Sequence, residues 1–528
     1  MQIVPLAQLS ALARAGAVSR AWELFTASGY EARSSEPATL AVKGRLLKGR
    51  ARLEVGALRT ALMAEAAQAY ESANRLSPSP YLAINAATLR LLGGDVAASR
   101  QRSDEVLRQL SDPAGAADTP YFLAATRAEA LLLLGNRAGA EAAMTEAVRA
   151  DPDGWADRAT TIAQLREIAA AQGSDAGWID AFAPPGSLHF AGHMGVASGG
   201  EAEAQLRKLL STHLGAQSVG FAWGALAAGA DIVIAEQVVA MGAALNVVLP
   251  CPADQFKAQS VAPAGAEWSS RFDALMGHAA SIRIAADSAV SVHDPLATAF
   301  AGDLAIGGAL CNAAQLASSA AQLIVCDEAG GGANTARQAE RWPGAAGPQF
   351  RLTVPRDAAV DALFPPEQPD PARQLAVHLS ILHDDLVRGD RLSGTELSRI
   401  TSEVAEALSG LPAGSVRSAP GGWEASLTDL PGALVAIGRL ARLGTLAIGA
   451  HRAIGPLIED PASGTVVPFG PAPALARRLA LLAQSGTVLV SDALAVSHAA
   501  RGGTSCRTEL YYPWEDELDG PVHILASQ

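Results

Sequence analysis

The feature that most constrains this chain is a local pattern written three times between Leu188 and Glu340: a short apolar run, a glycine-rich corner, then residues that start a helix. It reads LHFAGHMG, then SVGFAWGALAAGADIVIAEQVVAMGAALNVVLP, then QLIVCDEAGGGANTARQAE. Strands that end this way belong to a parallel sheet whose carboxyl edge opens into backbone-lined turns. Glycine lets the main chain approach a ligand closely, and a helix amino terminus presents free N–H groups. The expected occupant is a nucleotide or another phosphorylated small molecule, bound outside the strand ends. A single glycine corner is common in any α/β protein, whereas three in one strand-helix series are a better signal.

Strands are expected at Leu188–Phe190, Ser218–Ala222, Leu245–Leu249, Ala280–Ile284 and Gln322–Cys326, with helices over about 200–213, 226–241, 268–278 and 300–318. That alternation predicts a doubly wound α/β sheet over about 186–358. The corners then place Gly192, His193, Gly224, Gly331, Gly332, Asn334 and Thr335 at the ligand edge. Asp231 and Glu236 follow the second corner at the start of a helix. Asp231 reads either as a ribose or base contact or as an acid facing the positive end of the helix dipole. His193 reads either as a phosphate contact or as a turn residue.

Residues 1 to about 180 read as helix after helix, rich in Ala, Leu, Arg and Glu at 3.6-residue spacing. In AAQAYESANRLSPSPYLAINAATLRLLGGD one helix ends near Leu76, Pro78 and Pro80 break the chain, and a second runs from about Tyr81 to Gly93. PYFLAATRAEALLLLGNRAGAEAAMTEAVRADPDGW repeats the plan around Gly135-Asn136 and stops at Asp151-Pro152. These units resemble tetratricopeptide repeats. The resemblance implies an all-α solenoid whose concave surface binds a protein partner, unless its apolar stripe packs on the rest of the chain. Residues from about Gly173 to Gly186 are expected to be a linker.

After the break FPPEQPDP, residues 370–528 predict an α+β sandwich with helices on one sheet face. Strands are expected at Leu375–Leu382, around Ser415, and at Glu424–Leu427, Leu446–Ala450 and Thr487–Ser491, with a terminal pair near Thr504–Tyr512 and Val522–Leu525. The helices fall at Thr395–Leu408, Gly432–Leu443 and Pro473–Ala483.

Three further resemblances follow, two of which concern chemistry. GALAAGADIVIAEQVVAMGAALNVVLP with RFDALMGHAASIRI resembles the SLOG superfamily of Rossmann-like nucleotide-binding domains. With PSPYLAINAATLRLL as the junction, it also resembles the TRAFs-binding region of animal stress-activated kinase kinase kinases. Catalytic relatives carry a PGGxGTxxE loop whose glutamate helps cleave an N-glycosidic bond. The matching positions here are Gly331, Gly332, Ala333, Asn334, Thr335 and Gln338, with Glu328 and Glu340 nearby. An amide at Gln338 cannot serve as a carboxylate base, which favours binding over hydrolysis. DDLVRGDRLS, LAIGAHRAIGPL and VPFGPAPALARRLALLAQSGTVLVSDAL resemble class III nucleotide cyclases. In that family two aspartates hold metals, and an asparagine and an arginine stabilise the transition state. The resemblance puts the first aspartate at Asp385, or at Asp384 by a register shift, and the second at Gly422. The asparagine position holds Ala474 and the arginine is Arg478, while Glu424 is a substitute ligand only if strand alternation permits. A pseudo-cyclase follows, with Mg or Mn expected only if activity remains, and homodimerisation is expected because the resembling domains work as pairs.

Composition narrows the partners. The net charge of −13 over 528 residues argues against a nucleic-acid groove. Cys251, Cys311, Cys326 and Cys506 are far apart and form no CxxC pair, as expected of buried thiols in a reducing cytoplasm. The amino terminus has no signal-peptide pattern, and the longest apolar region, about Ile232 to Leu249, is too interrupted to span a bilayer. The expectation is a cytoplasmic regulatory protein that binds a nucleotide-derived ligand centrally and protein partners through its helices. The rivals are a nucleotide hydrolase, a residual cyclase, and a ligand-free scaffold.

Overall fold

The computed structural model describes residues 3–527 except 112–117, 216, 287–289, 390–391, 413, 460, 462–463, 465, 503–505 and 512–519. Between Leu6 and Gln172 the elements among the described residues are all helices. The helices Gly56–Leu76 and Pro80–Leu92 form one antiparallel pair, and Pro120–Leu133 and Arg137–Ala150 another. Pro80 and Pro120 open their helices, where a missing N–H costs nothing. Gly135 turns the second pair with φ 83°, and the Asn136 side chain caps the next helix through the Gly139 N–H. Ala66, Ala67, Ala73 and Ala86 lie buried between the first pair, so the small residues that suggested repeats let the backbones approach. The stretch expected to be a linker is instead packed: Gly177–Phe182 is a 3₁₀ turn that buries Trp178 and Ile179 beside Ile162 and Leu165.

Six parallel strands follow: β1 Gly186–Gly192, β2 Val219–Gly224, β3 Ala244–Leu249, β4 Ser281–Ile284, β5 Ala320–Cys326 and β6 Gln349–Thr353. Their spatial order is β4-β3-β2-β1-β5-β6, so the succession reverses between β1 and β5. Alternation on β1 sends Leu188 and Phe190 to one face, beneath Glu201–Leu214, Ala230–Ala240 and Ala266–His278. The opposite face is covered by Pro295–Gln315 and Ala333–Arg341.

The second sheet is mixed. It comprises β7 Arg373–His383, β8 Val416–Ala419, β9 Gly422–Leu427, β10 Leu446–Glu459, β12 Thr487–Ser491, β13 Cys506–Tyr511 and β14 Val522–Ser527, in the order β13-β14-β12-β10-β7-β9-β8. β11, Val466–Pro468, pairs with the far end of β10. Thr504 and Tyr512, at the ends of the expected terminal strand, lie outside the described residues. Helices Gly394–Ala407 and Leu430–Arg442 cover one face. The expectation of helices on one face alone is corrected, because Pro471–Leu482 covers the other together with the start of the chain. Leu9, Leu12, Phe25 and Tyr30 are buried there against Leu382, Leu489 and Ile524. Arg20 reinforces the docking by donating to the Ser485 carbonyl at 2.5 Å.

The two sheets are joined through Pro295–Gln315. Gly307 on that helix meets Asp492–Ala500 so closely that a Cβ would lie 1.8 Å from the Val496 carbonyl oxygen. Asp303, one turn earlier and 3% exposed, sits 3.0 Å from Arg452 on β10, 3.4 Å from Arg501 and 3.3 Å from Arg341. Among the described residues this is the one helix long and apolar enough to cross a membrane by length and composition, and most of it is buried between the sheets. The longest apolar helix is therefore this one, not the expected stretch from Ile232.

Candidate ligand site at the strand ends

Four segments distant in sequence meet at the carboxyl ends of β1 and β5, where the strand order reverses. The first is the corner after β1. Gly192 donates its N–H to the Asp231 carboxylate at 2.7 Å, and its carbonyl accepts from the Thr335 hydroxyl at 3.1 Å. A Cβ on Gly192 would lie 2.4 Å from that of Ala230, so glycine is required for the helix start to approach β1. Asp231 also accepts from the Ala227 N–H, and burial pushes its carboxyl up to about 7. Its oxygens tie two segments together at the floor of the site.

The second segment is the loop before Ala333–Arg341. Gly330 and Gly331 have φ of 99° and 84°, which a side chain would strain, and Gly332 caps the helix. The Gly331 N–H donates to the Asp327 carboxylate at 2.8 Å, and Arg356 Nε lies 3.3 Å from the other Asp327 oxygen. The Gly331 amide and Arg356 hold the Asp327 carboxyl below its usual range. The loop thus already binds an anionic group, one from its own chain.

Arg356 was not foreseen. Its side chain lies across Gly195, where a Cβ would be 2.3 Å from Arg356 Cγ, and its Nη2 comes within 3.6 Å of a Cβ on Gly332. The signal was present, because QFRLT is a sixth strand and Arg356 follows its carboxyl end. His193 is buried and donates from Nε2 to the Val354 carbonyl at 3.2 Å, which leaves Nδ1 buried without a hydrogen-bond partner. Burial holds its pKa below the usual imidazole value, with the nearby Arg356 charge acting the same way. Asn334 Oδ1 is likewise buried without a partner. Such atoms require a partner of some kind.

Two candidates do not join this cluster. Glu236 points along the outer helices, paired with Arg271 at 2.7 Å and Arg207 at 2.5 Å beside Glu203. Gly224 is buried against the Phe190 ring, 2.5 Å from where a Cβ would be, so its glycine serves core packing. Gln338, expected from the SLOG resemblance at the position of a glutamate, turns inward. Its carbonyl oxygen accepts from His189 Nε2 at 3.0 Å, and Gln322 donates to His189 Nδ1 at 3.0 Å. Burial holds His189 at about 4, neutral within this network.

In the second sheet, Asp384 and Asp385 begin the short helix Asp384–Arg388 after β7, 3.8 Å from Arg388 and His383 respectively. Ala474 and Arg478 lie one turn apart on the exposed side of Pro471–Leu482. At Gly422, where the cyclase resemblance implied the second aspartate, a Cβ would stand 1.9 Å from the Ile381 carbonyl oxygen. Glu424 is held by Arg417 at 2.9 Å and lies 3.7 Å from Arg477, which occupies it as an ion-pair partner. These residues do not fit a two-metal centre. Gly422→Asp is therefore expected to yield no Mn²⁺-dependent cyclic nucleotide and to destabilise the sheet by about 3 kcal/mol, through overpacking and a strained strand pair. Urea unfolding and product assay check it, and a stable, active variant would contradict it. Among the described residues no cluster of His, Cys, Asp and Glu is arranged to hold a metal. Cys251 and Cys326 are buried thiols, Cys311 is partly so, and the Cys506 side chain lies outside the described residues.

Comparisons with known proteins give similarities to two parts of the chain. The family Tetratricopeptide Repeats-Sensor (TPR-S) matches residues 6–90. No curated protein matches the chain. Among solved structures, the chain is similar to an adenylate/guanylate cyclase/hydrolase from Silicibacter pomeroyi, at 18% identity and a TM-score of 0.22, covering 29% of this chain and 95% of that one. It is similar to the guanylate cyclase domain of a protein from Catenaria anguillulae solved with GTP, at 11% identity and a TM-score of 0.24, covering 30% and 98%. An adenylyl cyclase from P. aeruginosa gives 10% identity and a TM-score of 0.24, covering 30% and 95%. With so little identity and so low a score, the likeness does not extend to activity or ligand.

Proposed function

We propose that this chain is a signalling protein in which the six-stranded region is a Rossmann-like, SLOG-type unit that binds a nucleotide-derived anion at the ends of β1 and β5. In this reading the second sheet is a catalytically degenerate cyclase-like region and the helical repeats carry a partner surface. The observation that carries the proposal is the convergence of Gly192, His193, Asn334, Thr335, the Gly331 amide and Arg356 at the point of strand reversal. Backbone amides at a helix start beside a guanidinium suit a phosphate or pyrophosphate. Binding is favoured over hydrolysis because Gln338 is engaged with His189 inside the fold.

A route to the rest of the molecule runs along Ala333–Arg341. Its first turn borders the ligand site and its last residue, Arg341, reaches Asp303 beside Arg452 and Arg501 of the second sheet region. A ligand that shifts this helix changes a buried charge cluster shared by both sheets.

Asp327 competes with any anionic ligand for the Gly331 amide and Arg356. Asp327→Asn is therefore expected to tighten binding of nucleotide diphosphates by about tenfold, in keeping with the 1.5–3 kcal/mol of a charge-assisted hydrogen bond. Calorimetric titration with ADP and ADP-ribose measures this. Unchanged or weaker affinity in the variant would remove Asp327 and its partners from the site.

A further inference from the structure

The helical repeats enclose a cavity of about 1050 Å³ that the reading above does not use. Its wall is formed by the chain around Ala13–Val18 and by the helices between Pro37 and Gln172. Its floor is closed by Gln315 and Ala317 behind the first sheet and by Glu509 and Ala526 of the second. A volume of this order accommodates a ligand of nucleotide size or larger.

One wall is cationic. Arg45, Lys48 and Arg52 are spaced i, i+3 and i+7 along Pro37–Ala51 and its cap, so they share a face. Glu167 is the carboxylate that pairs with this face, 3.5 Å from Lys48 and 2.9 Å from Arg52. Arg45 has no carboxylate partner among the described residues, and its guanidinium donates to the Tyr81 hydroxyl at 3.0 Å. Glu129, also in the lining, is engaged within the fold, accepting from Thr88 and Gln164, and burial raises its pKa. Burial raises Asp157 as well. At the floor, Arg14 and Glu509 pair at 3.2 Å. Arg45 is thus the one cation of this face with no carboxylate within ion-pair distance among the described residues.

The other notable lining is aromatic. Tyr81 and Phe122 occupy the first turns of Pro80–Leu92 and Pro120–Leu133, and each remains 41% exposed. Tyr70 stands edge-on to Tyr81 with ring centroids 6.4 Å apart. Exposed aromatic faces within one concave site suit a planar ring, and an uncompensated guanidinium suits a phosphate or carboxylate.

We propose that this cavity is a second ligand site, for a small anion that carries a planar ring, with Arg45 receiving the anionic group and Tyr81 and Phe122 the ring. The site is separate from the strand ends and stands or falls independently of them.

Lys48 makes the proposal testable. Burial lowers the pKa of its ammonium group and so raises the fraction of free amine. Pyridoxal 5′-phosphate carries a ring, a phosphate and an aldehyde. The Lys48 amine would add to the aldehyde carbon with loss of water, and borohydride would deliver a hydride to the resulting imine and fix it. The other lysines are Lys43, Lys208 and Lys257. On the full-length protein, peptide mass spectrometry is expected to show saturable labelling at Lys48 at concentrations that leave those three unlabelled. Arg45→Gln should raise the half-labelling concentration at least tenfold, and Phe122→Ser severalfold, whereas Gly331→Trp should leave it unchanged. Phe122 is exposed, so its variant decides the matter if Arg45→Gln fails to fold. Labelling spread evenly over the lysines, or unchanged in the folded variants, overturns the proposal.

Discussion

Replacing Asp303 with leucine is expected to destabilise the protein by about 3–5 kcal/mol, because it leaves Arg452 buried beside Phe300 with no carboxylate. Arg452 is 4% exposed and cannot recover its hydration without opening the contact between Pro295–Gln315 and the second sheet. Arg341 and Arg501 are more exposed and lose less. The measurement is urea unfolding followed by tryptophan fluorescence, with limited proteolysis to locate the region released. Wild type should lose both sheets together, and the variant should release the second sheet first. Adding Arg452→Met should restore at least half of the loss, since replacing both members of a buried pair with apolar groups is far less costly than removing one. A single variant as stable as wild type would show that the cluster does not hold the sheets together.

The second large effect concerns acid. His378 on β7 and His451 on β10 lie directly opposite each other in the strand pairing, bonded to Ser426 and Ser491 hydroxyls at 3.0 and 2.8 Å. Burial holds each at about 4, with Arg417 also acting on His378, and with His378 and Arg283 also acting on His451. The unfolded chain takes up these protons below its ordinary pKa near 6.5, while the folded chain refuses them until about 4. Stability is therefore unaffected by this pair above 6.5 and falls as pH drops from 6.5 toward 4. The slope is about 1.4 kcal/mol per histidine per pH unit. Asp231, raised by burial to about 7, acts in the opposite sense over the same range, and Glu129 is raised as well, so the wild-type curve alone does not isolate the pair. The comparison with His378→Gln/His451→Gln does. Relative to wild type, the double variant should gain on the order of 5 kcal/mol between pH 7.5 and 4.5, read as a lower acid-unfolding midpoint. Parallel acid curves would contradict the assignment.

Much of the architecture was legible because it follows from periodicity and breakers. Pro80, Gly135 and Pro152 marked the helix pairs, and the alternation of apolar runs with glycine corners marked five strands of the first sheet. What escaped depended on tertiary partners. β10 runs on to Glu459, past Gly455 and Pro456, because β7 pairs with it as far as Pro456 and β11 takes up Leu457–Glu459. The apolar stripe around Leu9, Leu12 and Phe25 announces burial but not its cover, and the second sheet is five hundred residues away at Ile524. The inward turn of Gln338 could not be read from spacing, since helix phase alone does not reveal whether His189 waits beneath. Asp303 had a visible sign, a lone carboxylate within the apolar stretch FAGDLAIGGAL, which water would not leave without a buried cation. At the strand ends the glycines were legible as a set, while Arg356 depended on recognising β6.

The central claim is that the strand-end cluster holds a nucleotide-derived anion. Mass spectrometry of small molecules released on denaturing the purified full-length protein tests it most directly, with Gly331→Trp prepared in parallel. Gly331 sits at φ 84°, so tryptophan both strains the loop and fills the approach to its amides. The expected result is a phosphorylated nucleotide derivative released from wild type at near-stoichiometric yield and absent from the folded variant. Equal release from both proteins, or no nucleotide-derived species from wild type together with no thermal stabilisation by nucleotides, would contradict the account.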